Sequence, residues 1–103
     1  MVDAIEIIIN NGAIPQVSAF LYYKEKVCYL NNKKYSVDDE FLNEFTRIIS
    51  GWKNEYGTKE GIDVEEFTIT VHHNGKEYVY HGKGVFPKYY SRIKELLGDL
   101  NVR

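Results

Sequence analysis

The dipeptide Asn74-Gly75, set between two alternating runs, constrains the fold of this chain more than any other feature. Phe67, Ile69, Val71 and His73 alternate with Thr68, Thr70 and His72 before it, which is the period of a strand with two unlike faces. Asn-Gly is the preferred pair for a two-residue type I′ turn, because both residues tolerate the left-handed backbone such a turn needs. A loop that short also fixes the register. His73 then faces Lys76, His72 faces Glu77, Val71 faces Tyr78, Thr70 faces Val79, Ile69 faces Tyr80 and Thr68 faces His81. One face of the hairpin reads Phe67, Ile69, Val71, Tyr78 and Tyr80. The other reads Thr68, Thr70, His72, Glu77, Val79 and His81, and is the more polar of the two.

The first third of the chain carries the same period. Ile5, Ile7 and Ile9 alternate with Glu6 and Ile8, and Asn10-Asn11-Gly12 reads as a turn. Val17, Ala19, Leu21 and Tyr23 then alternate with Ser18, Phe20 and Tyr22. A tight turn at Lys24-Glu25 leads into a strand through Val27, Cys28, Tyr29 and Leu30, and Asn31-Asn32 closes a short hairpin onto Lys33 to Tyr35.

Two segments switch to helical spacing. Phe41, Phe45, Ile48, Ile49 and Trp52 recur at intervals of three and four, with Tyr56 one turn later. Ser36 with Asp39 three positions on fits a capping box, and Gly57 is the expected stop. In the second segment Pro87 is placed to open a helix carrying Tyr89 or Tyr90, Ile93, Leu96, Leu97 and Leu100, with Gly98 at its end. Thr58 to Val64 reads as a loop. The expected fold is α+β: an antiparallel sheet, built from N-terminal strands and the later hairpin, packed against two α-helices in a single domain spanning 1–103.

Composition removes several functional classes. One cysteine, Cys28, cannot form an internal disulfide, and no apolar run approaches the roughly 20 residues of a transmembrane helix. No secretory signal is visible at the N-terminus, so the expected location is cytoplasmic, with no membrane partner. The net charge is −2, and it is unevenly placed. Residues 37–66 hold nine acids against three bases, whereas 67–103 hold six bases against three acids. No dense basic stripe of the sort that pairs with duplex phosphates is present.

Four candidate sites follow from residue type and spacing. His72 and His73 are adjacent on a strand and point to opposite faces, while His72 and His81 share a face several residues apart; neither pair makes a metal site. His72 opposite Glu77 has the elements of a general base, although a cross-strand surface pair accounts for it more simply. Gly82-Lys83-Gly84 before a helix has the look of an anion cradle but lacks the spacing of a phosphate loop, and a strand-to-helix connection explains it. Nine tyrosines in so short a chain are the remaining anomaly. Tyr22, Tyr23, Tyr29 and Tyr35, interleaved with Lys24, Lys33 and Lys34, form the candidate interaction surface, since tyrosine joins apolar area to a hydroxyl.

The expected function is a small protein-interaction or regulatory module of the inhibitor or immunity type, without catalysis and without cofactor or metal. Its partner is another protein or a second copy of itself. Two alternatives stand beside this reading: a binding domain for single-stranded nucleic acid or a small anion, resting on the same Tyr and Lys residues, and a small enzyme using His72 and Glu77.

Overall fold

The computed structural model describes residues 2–12, 14–58 and 64–102, and of Ile14 and Pro15 the backbone alone. Among the described residues seven strands form one sheet: β1 (Val2–Asn11), β2 (Ile14–Tyr22), β3 (Val27–Leu30), β4 (Lys33–Ser36), β5 (Glu55–Thr58), β6 (Glu65–His73) and β7 (Lys76–Lys83). Their spatial order is β4-β3-β2-β1-β6-β7-β5. Helices α1 (Asp39–Ile49) and α2 (Tyr90–Leu100) pack against one face, giving the expected α+β fold.

The hairpin has the register that Asn74-Gly75 dictates, from His73 opposite Lys76 to Thr68 opposite His81. Asn74 and Gly75 both take positive φ, 53° and 78°, as a type I′ turn requires. Asn31 and Asn32 do the same at 49° and 69° between β3 and β4. Strand β1 is the centre of the sheet and pairs antiparallel with β2 on one side and β6 on the other. Its helix-side residues Ile5, Ile7 and Ile9 are buried, as are Ala19, Leu21 and Cys28 from β2 and β3 and Phe67, Ile69 and Val71 from β6. The helices close this layer with Phe41, Leu42, Phe45, Ile48 and Ile49 from α1 and Tyr90, Ile93, Leu96, Leu97 and Leu100 from α2.

Four local expectations are corrected. The cap of α1 is Asp38 rather than Ser36: its carboxylate accepts from the Phe41 amide at 2.8 Å, while Ser36 ends β4. Helix α1 stops at Ile49 and does not continue through Trp52. The Trp52 amide closes a short turn onto the Ile49 carbonyl, and its indole Nε1–H donates to the Lys88 carbonyl at 3.0 Å. Released from the helix, Trp52 sets its ring edge-on to both Phe67 and Tyr80. Tyr56 consequently lies on a strand, β5, which runs parallel to β7 and makes the sheet mixed rather than wholly antiparallel. At α2, Pro87 precedes the helix: its carbonyl accepts from the Tyr90 amide, Tyr89 sits at φ 66°, and the helix runs beyond Gly98 because fully buried Leu100 anchors its last turn. The expected loop from Thr58 to Val64 falls mostly outside the described residues.

His81, weighed above only as a partner of His72, ties the late strand in place. His81 on β7 stands between two carboxylates, with Nδ1 3.2 Å from Glu55 of β5 and Nε2 2.8 Å from Glu66 of β6. Both ring nitrogens can donate only in the imidazolium, so the carboxylates hold the His81 pKa above its ordinary value. Hydrogen bonding to Glu66 is the largest cause, and partial burial opposes it. A folded-state pKa raised above the unfolded value stabilises fully below pH 6.5 and loses that contribution as pH rises through the folded pKa. His81→Gln is therefore expected to destabilise the protein at about pH 5.5, and the gap from wild type should narrow by about pH 9. Urea midpoints measured at both values check this; a gap that widens with pH would contradict it.

Candidate binding face

Because helices lie on one side only, alternation sends every second side chain of the sheet to a face that nothing among the described residues covers. Three of its rows bear on the candidate site. Tyr22 aligns with Val27 on one side and with Ala4, His72 and Glu77 on the other. Phe20 aligns with Tyr29 and Lys34, and across β1 with Glu6, Thr70 and Val79. Ser18 aligns with Ile8, Thr68 and His81.

The apolar part of this face is concentrated on β2 and β3. Tyr22 and Tyr29 are 38% and 37% exposed, and their rings meet edge to face with centroids 5.9 Å apart. With Phe20 and Val27 they line an open hollow of about 580 Å³, rimmed by Glu25 and Asn32 from the flanking turns. A smaller hollow of about 160 Å³ lies on the other side of Phe20 and Tyr22, bordered by Ala4, Glu6 and His72. Phe20 and Tyr22 thus form a ridge between two depressions. Each depression has one glutamate at its edge, and neither Glu6 nor Glu25 has an ion-pair partner among the described residues.

The structure distributes the seven residues of the expected Tyr and Lys surface over both sides of the sheet. Tyr22, Tyr29 and Lys34 share the uncovered face. Tyr23 turns inward, where its hydroxyl donates to the Leu42 carbonyl at 2.9 Å and lies within hydrogen-bond distance of Thr46 Oγ1, at 2.8 Å. Burial pushes its phenol up to about 12. Tyr35 also lies on the helix side, half-buried against the core, with Lys33 Nζ 5.5 Å above its ring. Lys24 stands in the turn after β2, beside the start of α1. Sequence reasoning passed over Phe20, Val27, Glu6 and Glu25. Phe20 carried a usable signal, since its spacing from Tyr22 puts both on one face; Glu25 carried none.

The other candidates have the following surroundings. His72 Nδ1 lies 3.7 Å from Glu77 as a partly exposed cross-strand pair. The Gly84 amide donates to the Glu65 carbonyl at 2.8 Å, which occupies the donor an anion cradle would need. Glu65 accepts from the Tyr90 hydroxyl and from Lys94, both at 2.8 Å. Cys28 is fully buried, and burial pushes its thiol up to about 11, so little thiolate forms near neutral pH. Among the described residues there is no group of three or more metal-ligating side chains, and no helix long and apolar enough to cross a membrane.

Compared with known protein families, with curated proteins and with solved structures, the chain has no significant match.

Proposed function

We propose that this chain is a protein-interaction module of the regulatory or inhibitor type, which binds through the uncovered face of its sheet and does no chemistry of its own. The observation that supports this reading is the grouping of Phe20, Tyr22, Val27 and Tyr29 on a face that nothing among the described residues covers. Side chains of this type supply much of the energy of interface cores, since their rings bury large areas while losing few rotamers. Ordinary antiparallel sheets expose a polar face instead.

Charge favours a protein over a nucleic acid. Of the lysines at 24, 33 and 34, Lys34 alone shares the face with two tyrosines. Glu6, Glu77 and the rim residue Glu25 border the same surface and would repel phosphates.

Cross-linking from defined positions tests the reading. In the cells that express it, protein carrying a photoreactive benzoylphenylalanine in place of Tyr22 or Tyr29 is expected to give discrete adducts that survive nuclease. The same group in place of Tyr89, 60% exposed beside α2, should give none. Adducts equal from all three positions would remove the face from consideration, and nuclease-sensitive adducts would transfer it to nucleic acid.

A further inference from the structure

We infer that the uncovered face recognises a basic segment of a partner protein, with two cationic side chains straddling the Phe20–Tyr22 ridge and ending at Glu6 and Glu25. This rests on the proposed role of the face and adds the chemistry of what occupies it.

Each hollow combines the two elements that hold a guanidinium or ammonium group. The first is an aromatic wall. Phe20, Tyr22 and Tyr29 line the larger depression, and a cation set over a ring face is attracted by its quadrupole. The second is a carboxylate not already occupied. Other acids near this face are engaged: Glu55 and Glu66 hold His81, and Glu77 lies beside His72. Glu6 and Glu25 are left without an ion pair among the described residues, one on each side of the ridge. Glu6 is half-buried in the central strand between Phe20 and Thr70, where water screens its charge less than at the rim. Strands β1 and β3 flank β2 at about 4.8 Å each, so the depressions are separated by roughly 10 Å, within reach of two basic side chains on one extended segment.

The same charges argue against other occupants. A second copy docked about a two-fold axis would set this patch against itself, bringing the two glutamates of one copy toward those of the other. An acidic segment would meet the carboxylates directly. Lys34, opposite Tyr29 on the outer strand β4, is the one lysine or arginine of the rows through Phe20 and Tyr22, and His72 stands in the second of them.

The test uses the intact chain, labelled with ¹⁵N, and acetyl-arginyl-glycyl-arginine amide as the probe, with the diglutamyl counterpart as control. The arginine peptide is expected to shift the amides of Glu6, Phe20, Tyr22, Glu25 and Tyr29 in a saturable way, and the glutamate peptide is not. The isosteric pair Glu6→Gln and Glu25→Gln should weaken the arginine peptide at least about fivefold, while Lys34→Glu, which adds a carboxylate near Tyr29, should tighten it. Equal shifts from both peptides, shifts centred on the helices, or unchanged affinity in the Gln pair would each overturn the assignment. Failure here is distinct from failure of the broader reading. A protein adduct that forms from Tyr22 and Tyr29 yet is unaffected by the Gln pair keeps the face and removes the cation; the absence of adducts removes the face itself.

Discussion

Phe67→Ala is expected to lower the unfolding free energy by about 3–5 kcal/mol, among the largest losses a single truncation in this chain can cause. Phe67 is fully buried, and four rings surround it: Trp52 at 6.0 Å, Tyr56 at 6.4 Å, Phe86 at 6.0 Å and Tyr90 at 5.0 Å between centroids. These come from the segment after α1, from β5, from the connection after β7, and from α2. Removing the central ring therefore costs its transfer energy and leaves a space that elements anchored elsewhere cannot close. Against a typical domain stability of about 5–15 kcal/mol, the loss approaches unfolding. Urea denaturation followed by the emission of Trp52, the only tryptophan in the chain, reads both the midpoint and the local packing. Phe67→Leu keeps most of the volume and should cost under about 1.5 kcal/mol. A loss below about 1 kcal/mol for the alanine variant would show that the ring cluster is not a structural centre.

Gly82→Ala is the second large effect, and it acts by overfilling. Gly82 is buried at the end of β7, and its φ is not in the left-handed region, so backbone conformation does not require glycine there. Space does. A Cβ would lie 2.5 Å from the Val85 carbonyl oxygen, 2.7 Å from Phe67 Cε1 and 3.1 Å from Tyr56 Cβ. The nearest of these is backbone and cannot rotate away, so the chain must shift, at about 3 kcal/mol. Because Phe67 is one of the colliding groups, the double variant with Phe67→Ala should lose less than the two single losses combined. Full additivity in a double-mutant cycle would contradict the packing described for Gly82.

How much of this was legible beforehand varies with the range of the interaction. The β6–β7 register follows from Asn74-Gly75 alone, because a two-residue turn leaves no freedom to slip. Helix stripes were equally plain. Boundaries were less so: Tyr56 keeps helical phase with Trp52, yet both residues are drawn to Phe67, a partner remote in sequence. Capping moved two residues because the strand hydrogen bonds of β4 extend to Ser36. The proposed binding face was half legible. Tyr22 and Tyr23 are adjacent, and adjacent strand positions cannot share a face, which already divides the tyrosines. Which face would remain uncovered depends on where α1 and α2 come to rest. No local pattern near Glu6, Phe20 or Glu25 carries that information.

On the proposed reading the uncovered side of the sheet, not the helical side, is the working surface. The most direct measurement is an amide chemical-shift map of the ¹⁵N-labelled chain with and without the protein trapped by cross-linking from Tyr22 or Tyr29. The perturbed amides are expected to centre on Ala4, Glu6, Phe20, Tyr22, Val27 and Tyr29, with α1 and α2 unchanged. Perturbations centred on the exposed sides of the helices, with β1 to β3 silent, would contradict it.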